Sequence, residues 1–404
     1  MTHPLIIIGA GLAGWTAARE FRKLDPATPV MLITADAGDF YAKPSLSNAF
    51  AQQRSPAQLV STAAAAMAAA QNVSLLAHTR VTAVQPANQT VSTSQGEFSY
   101  SRLVLATGAQ PIRVPVAGDA ASEVLSINSL DDFSTFHDRL TSVSSYEIKS
   151  KTAIAASSKH ILIMGAGLIG CEFANDLATA GYRVSVVDPS TGLMSALLPP
   201  DASAQLQSAL AAQGVTWYLG VTVKAVSHRP GTDSMPPVLQ VELSNGDLVL
   251  VDMVLSAVGL RADMALARSA GLVCERGVVV DATLQTSAAH IYALGDGAQY
   301  AAAGARTLPY VMPIMAAAKA LALTLTGTPT PVVFPVMPVA IKTPAFPVVV
   351  VAPVPGTPGE WRSPQSGLWQ FVDSQGQHRG FVLTGAHTSQ RAAQAKLLTT
   401  APTT

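Results

Sequence analysis

Cysteine is nearly absent from this chain: Cys171 and Cys274 are the only two in 404 residues. Two cysteines build neither a disulfide framework nor a four-ligand zinc site, so no metal centre is expected, and they suit a reducing compartment. Charge is scarce as well. Charged residues make up 12% of the chain, and 25 basic side chains cancel 25 acidic ones, which leaves no polybasic surface for nucleic acid or anionic lipid. Nor is there an unbroken apolar helix of membrane length. The charge-free stretch from Ala320 to Ile341 contains Pro329, Pro331, Pro335 and Pro338, and a helix loses its hydrogen-bond ladder at such a density of proline. It reads as a helix end followed by extended chain. The N-terminal apolar run is short and lacks a basic start or a cleavage site. The expectation is a soluble, cytoplasmic protein with no membrane insertion, and 49% apolar residues give it ample core for two or three domains.

What is present is a repeated glycine pattern. Leu5–Ile8 leads into Gly9-Ala10-Gly11-Leu12-Ala13-Gly14 and an Ala-rich helical stretch from Trp15 to Lys23. In such a turn the first glycine permits the tight strand-to-helix reversal and the second lets a pyrophosphate approach the backbone. The third lets the helix pack closely on the strand, and the helix N-terminus offers free N–H groups to phosphate. Alone, this spacing also describes a tight turn with no ligand. A second strand, Val30 to Thr34, ends just before Asp36, at the distance needed to meet a ribose hydroxyl.

The whole unit recurs. Strand His160–Met164 precedes Gly165-Ala166-Gly167-Leu168-Ile169-Gly170, a helix over Cys171–Ala180, and a strand Arg183–Val187 that ends at Asp188. Duplication of strand, glycine turn, helix, strand and acid implies two bound dinucleotides. An acid at the second strand end hydrogen-bonds a 2′-hydroxyl and repels a 2′-phosphate, and no Arg or Lys follows in Pro189 to Gly192, so NADH is expected over NADPH.

Between and after these units, Tyr41 to Ser47 reads as a proline-broken loop in which Lys43 is either a solvated lysine or a contact for phosphate or flavin oxygens. Ala63–Ala70 reads as helix, with short strands near Val73, Val81 and Thr90. Leu103 to Ala109 is a buried strand entering a small-residue turn that admits either a ligand or another chain segment. Leu140–Lys159, rich in Ser, Ala and Thr, reads as a mobile loop. A helix Ala202–Gln213 and a strand Val215–Leu219 follow, and then a hairpin around Asn245-Gly246. Val254 to Arg261 is a buried strand with a turn at Gly259. Ile291 to Asp296 is another, with Asp296 placed for a sugar-like hydroxyl or as a helix N-cap. Pro313 reads as the first residue of a helix to Leu325. From about Gly327 the chain turns Pro- and Val-rich, with strands expected at Val332–Phe334, Val339–Lys342, Val348–Val351, Trp369–Val372 and Gly380–Thr384.

With Gly9–Gly14, Leu105–Gly108, Gly165–Glu172, Ala257–Arg261 and Tyr292–Asp296 in place, the chain resembles the two-dinucleotide-binding flavoprotein reductases. Ile33–Asp36, Tyr41–Pro44, Val311–Pro313 and Ile341–Pro344 make it most similar to the NAD-dependent rubredoxin and flavorubredoxin reductases. The resemblance implies an α/β fold with two Rossmann-like domains plus a small, mostly β C-terminal domain. The implied division is residues 1–118 with 253–327 for FAD, 119–252 for NAD, and 328–404 for the small domain. It also implies roles. The first turn (Gly9, Gly11, Leu12, Ala13, Gly14) and Asp36 would hold the FAD pyrophosphate and adenosine ribose. Lys43, Pro44, Val81, Ala106, Thr107 and Gly108 would lie along the cofactor. Asp296 would bind the ribityl chain, and Val311 to Pro313 would face the flavin pyrimidine ring, with Lys342 approaching from the small domain. Gly165, Gly167, Gly170, Asp188 and Gly259 would hold NADH, with Glu172 near nicotinamide and flavin. Related ferredoxin reductases often carry a lysine at the position of Asn48, able to pair with the acid equivalent to Glu172.

The resemblance, combined with the scarcity of cysteine, fixes an expected reaction. Relatives that use thiols carry them on the helix after the first nucleotide strand or near Leu46 to Phe50, where this chain has none. Hydride from NADH would enter the flavin and electrons would leave singly to rubredoxin or a similar small iron carrier. A [2Fe-2S] ferredoxin as acceptor, or a flavin-binding redox sensor or scaffold, are the alternatives.

Overall fold

The computed structural model describes residues 3–142, 159–229, 231 and 238–398. Its first sheet is built on Leu5–Ile8, four consecutive buried apolar residues. Absence of alternation means both faces are covered, as in a parallel sheet flanked by helices. Leu5–Ile8 lies between Val30–Ile33 and Arg102–Leu105, with Leu5 opposite Val30 and Arg102. Ile291–Ala293 and Ser74–Leu76 complete five parallel strands. Helix Leu12–Leu24 buries Trp15, Ala17, Ala18 and Phe21 and packs along helix Val311–Leu325.

A second parallel sheet follows the same plan, in the order Val215–Leu219, Arg183–Asp188, His160–Met164, Met253–Ser256. Helix Leu168–Thr179 lies against it. The third large sheet is antiparallel, in the order Val339–Ile341, Val348–Val351, His378–Thr384, Leu368–Asp373, Gly359–Gln365. This is the expected fold class. One buried core joins Leu46, Ala49 and Phe50 to Phe173 and Leu177 of the second unit and to Ile341, Val348 and Val382 of the antiparallel sheet. The three units therefore meet at helix Leu168–Thr179. The hairpin at Asn245-Gly246 is present between Val238–Leu243 and Leu248–Val251.

Four expectations are corrected. Tyr41 to Ser47 is not an open loop: Phe40–Tyr41 is a short strand and Lys43–Asn48 a 3-10 helix. Pro44 falls in its first turn, where a missing N–H costs nothing. Helix Val311–Leu325 starts two residues early, on Tyr310 as N-cap, so Pro313 is its third residue and not its first. The first three N–H groups of any helix lack intrahelical acceptors, so proline is accommodated there too. Val332 to Phe334 forms no strand. Val332 donates one hydrogen bond to the Ala282 carbonyl at 2.8 Å, and the Phe334 and Tyr300 rings meet edge to face with centroids 5.0 Å apart, but Pro331 and Pro335 remove the donors a ladder needs. Finally, Leu140 belongs to helix Leu130–Thr141, while residues 143–158 of the expected loop lie outside the described residues. That helix opens on a capping box formed by Ser129 and Asp132. No helix among the described residues is long and apolar enough to cross a membrane.

Candidate functional site

The two glycine turns have nearly the same backbone. Gly9 has φ of 109° and Gly165 105°, in the region only glycine enters freely. A Cβ on Gly9 would lie 2.3 Å from the Ala106 carbonyl oxygen, and one on Gly165 2.7 Å from that of Ala257. Gly14 and Gly170 let each helix sit directly on its turn, since a Cβ there would fall 1.8 Å from the Gly9 oxygen and 1.9 Å from the Gly165 oxygen. Gly11 and Gly167 differ from the other four. They are the N-caps of helices Leu12–Leu24 and Leu168–Thr179, at φ, ψ of −73°, −172° and −74°, −172°. A Cβ on either meets nothing within 4 Å. The protein thus leaves open space in front of two helix N-termini whose caps make no side-chain hydrogen bond, the arrangement that receives a pyrophosphate. Leu12 and Ala13 begin the first helix, and the Ala13 methyl would lie 2.9 Å from a Cβ on Gly295.

The acids at the strand ends are held differently. Asp36 is exposed, and its Oδ1 accepts from the Thr34 hydroxyl at 2.6 Å and the Gly38 N–H at 3.0 Å. Asp188 accepts the Ala166 N–H on Oδ2 and the Ser190 N–H on Oδ1, both at 2.7 Å. Its carboxylate is thereby fixed to the second glycine turn itself. Val81 starts strand Val81–Gln85 and packs half-buried on the first core.

Lys43, left open by the sequence, is half-buried and donates to Asn128 Oδ1 at 3.0 Å. Burial pushes its ammonium pKa down, opposed by the negative charge of Asp296. Burial pushes the Asp296 carboxyl up, opposed in turn by Lys43. The two charges sense each other without forming an ion pair, and the Asp296 carboxylate accepts no hydrogen bond among the described residues, so both keep capacity for a polar ligand. Pro44 is exposed beside them. Ala106, Thr107 and Gly108 pass along the same wall. The Gly108 carbonyl accepts from Asp263 N–H at 3.0 Å, and a Cβ on Gly297 would lie 2.9 Å from that oxygen. Helix Val311–Leu325 presents the N–H groups of Val311 and Met312 in its first turn, because Pro313 has none. Met312 is 57% exposed.

Asn128 was not identified from sequence. It also donates to the Ala109 carbonyl at 2.8 Å, and beside it the Leu130 N–H donates to the Tyr41 hydroxyl at 3.1 Å. Burial, first among the causes, pushes the Tyr41 phenol up to about 12.

Glu172 lies 2% exposed on helix Leu168–Thr179. It accepts the Ser47 hydroxyl at 2.6 Å and the Lys342 backbone N–H at 2.9 Å, and it is ion-paired with the Lys342 ammonium. Asn48 offers Glu172 no cation, and the one that pairs with it, Lys342, comes from the other end of the chain. One turn on, Asn175 Oδ1 accepts from Ala345 N–H at 3.2 Å, and Asp176 accepts from Phe50 and Ala51 at 3.0 and 2.9 Å. Neither Asn175 nor Asp176 was singled out by the sequence. Gly259 sits at φ 112° at the end of the neighbouring strand, accepting Ile112 N–H at 3.0 Å. Cys171 is buried with its thiol pushed upward in pKa by burial, and its sulfur faces the Ala166 carbonyl at 3.4 Å. Cys274 is half-buried, and both cysteines are free.

Residues 3–320 match the family described as pyridine nucleotide-disulphide oxidoreductase, and residues 331–398 match a rubredoxin binding C-terminal domain. The chain is 41% identical to a rubredoxin-NAD(+) reductase of Alcanivorax borkumensis, over 96% of this chain and 97% of that protein. It is 36% identical to a nitric oxide reductase FlRd-NAD(+) reductase of Aeromonas salmonicida, over 96% and 95%. Among solved structures, the covalent putidaredoxin reductase–putidaredoxin complex shares the fold with a TM-score of 0.82 at 22% identity, over 98% of this chain and 93% of that one.

Proposed function

The chain belongs to the pyridine nucleotide-disulphide oxidoreductase family, and from that premise we propose that it is an NADH:rubredoxin oxidoreductase that uses FAD. The observation carrying this reading is the pair of matched glycine cradles, each with open space before its helix N-terminus, together with a C-terminal segment of the rubredoxin-binding type. Flavin, when bound, accepts a hydride and releases electrons one at a time.

The chain's own residues supply binding and electrostatics. The first turn and Asp36 hold the FAD pyrophosphate and adenosine ribose, and Val81, Pro44 and Ala106 to Gly108 line the cofactor. Lys43 and Asp296, half-buried and not paired to each other, take its polar groups. The first-turn N–H groups at Val311 and Met312, with the dipole of a 15-residue helix, stabilise negative charge at the pyrimidine end of the ring. The second turn and Gly259 hold NADH. Asp188, fixed by two backbone N–H groups, retains oxygen lone pairs for a ribose hydroxyl and opposes a 2′-phosphate. A thiol relay would have no part in passing electrons to the carrier, a reading supported by the buried setting of Cys171. A division at residues 118/119, 252/253 and 327/328 and a cytoplasmic location belong to the same proposal.

Steady-state NADH consumption with purified rubredoxin, a plant-type [2Fe-2S] ferredoxin, and no carrier tests the reading. Rubredoxin-dependent turnover well above the other two is expected. Equal or better turnover with ferredoxin would reassign the acceptor, and carrier-independent rates throughout would favour a sensor or scaffold.

A further inference from the structure

A groove of about 330 Å³ opens one residue past Gly259, and none of its lining residues belongs to either glycine turn or is Asp36 or Asp188. Three arginines line it, each from a different element held in place by its own contacts. Arg261 lies in the short strand Leu260–Ala262, opposite Gln110 of the strand Ala109–Pro111. Arg268 lies in the last turn of helix Ala265–Ser269, whose Ala265 N–H donates to Asp263 Oδ1 at 3.2 Å. Arg276 lies in a turn fixed from inside by Gln299, a side chain 2% exposed. Gln299 accepts the Arg276 and Gly277 N–H groups on Oε1 at 2.8 and 3.2 Å and donates to Glu275 Oε2 at 2.6 Å. All three arginines are exposed, and their guanidinium groups make no hydrogen bond or ion pair with any described residue. Glu275, the acid in the lining, is engaged by Gln299, and Arg306 beside the groove is engaged by the Ala303 carbonyl at 2.8 Å. The lining therefore keeps a net positive charge. Thr307, Leu260, Ala262 and Met264 make up the rest of it.

We propose that this groove is a third ligand site, separate from both glycine turns, that binds the phosphate end of a small phosphorylated molecule. Guanidinium groups match phosphate oxygens with paired N–H donors, and three of them converge here with no acceptor of their own. Leu260, Ala262 and Met264 offer the less polar body of the ligand an apolar side. The volume falls at the small end of ligand pockets, about 300–1,000 Å³, which suits a sugar phosphate or a mononucleotide; a folded protein would enter it only with a single projecting side chain. The inference goes beyond the flavin-reductase reading and does not need it.

The test is isothermal titration calorimetry of the full chain, loaded with FAD and saturated with NAD+ so that the glycine turns are filled, with inorganic pyrophosphate as the probe. One-to-one, saturable binding is expected. Arg261→Gln, Arg268→Gln and Arg276→Gln should each weaken it by about fivefold or more, through loss of a charge-assisted contact, while Glu275→Gln should bind at least as tightly as wild type. NAD+ affinity should stay within about twofold in every variant, because these residues lie outside the second turn. If Arg276→Gln disturbs the fold, Arg261→Gln and Arg268→Gln decide the matter. In a second arm, adenosine 5′-monophosphate should bind about threefold or more tightly than inorganic phosphate, since its body meets the apolar side; equal affinity overturns that part of the assignment. Absence of saturable binding, or binding that none of the three arginine changes weakens, overturns the proposal. So does a raised KM for rubredoxin in the arginine variants with no pyrophosphate bound by wild type, which would make the groove a docking face for protein. A chain that takes up neither FAD nor NAD+ would overturn the function reading, whereas arginine-dependent binding of pyrophosphate would stand without it.

Discussion

Gly11 and Gly14 sit three residues apart in one turn, yet alanine should act on them in opposite ways. At Gly11 a Cβ meets nothing within 4 Å and the backbone is in the ordinary extended region. Alanine removes unfolded-state freedom, a gain of about 0.4–1 kcal/mol, and is a poorer N-cap than glycine by roughly 0.5–1 kcal/mol. The two nearly cancel, so apoprotein stability should change by less than about 1 kcal/mol. The methyl then occupies the space through which the pyrophosphate approaches. If affinity falls until FAD no longer saturates the site, ligand-linked stability is lost, about 2.7 kcal/mol for a ligand that had been present at a hundredfold over its Kd. At Gly14 the same methyl would lie 1.8 Å from the Gly9 oxygen and 3.0 Å from its carbonyl carbon. Backbone must move, at about 1–3 kcal/mol or more, in apoprotein and holoprotein alike. Urea denaturation of both forms, with flavin content read from the absorbance spectrum, separates the cases. Full flavin occupancy in Gly11→Ala, or equal destabilisation of its apo and holo forms, would refute the assignment of this turn to the pyrophosphate.

Replacing Asp188 with a neutral residue and adding an arginine nearby should narrow the preference for NADH over NADPH, read as the ratio of kcat/KM values; an unchanged ratio means Asp188 does not face the ribose. Asp296 has a raised carboxyl pKa in the folded chain, so its contribution to apoprotein stability is present below its unfolded value and is lost as pH rises through the folded value. Asp296→Asn should therefore abolish that loss of apoprotein stability with rising pH while weakening FAD binding, and an identical pH profile in the variant would contradict the burial argument. Carrier turnover should fall with added salt while flavin reduction by NADH changes little, because screening acts on charge-steered docking of a protein carrier and not on the nicotinamide site; stopped-flow measurement of both half-reactions decides this.

Much of the site was legible because its signals are local. Each glycine turn occupies six consecutive residues, and Asp188 ends its strand while Asp36 lies three residues past Ile33. The parallel strands announced themselves as unbroken apolar runs. What escaped the sequence was pairing across distance: Ser47 meets Glu172 across 125 positions and Lys342 meets it across 170, and Lys43 meets Asn128 across 85. No local spacing encodes such contacts. Helix boundaries failed for a different reason, since proline favours the first helical position but is accommodated at the next two as well, so Pro313 alone could not fix the start. The helix Leu130–Thr141 does carry a local signal, Ser129 three residues before Asp132.

Direct electron transfer from flavin to carrier is tested most sharply by removing both thiols. In Cys171→Ser/Cys274→Ser, stopped-flow mixing with NADH followed by rubredoxin, without oxygen, should show flavin bleaching and then carrier reduction at rates close to those of the wild type. Some stability is expected to be lost, because buried Cys171 packs as a small apolar residue. A double variant whose flavin is reduced normally by NADH but which cannot reduce rubredoxin would contradict direct transfer.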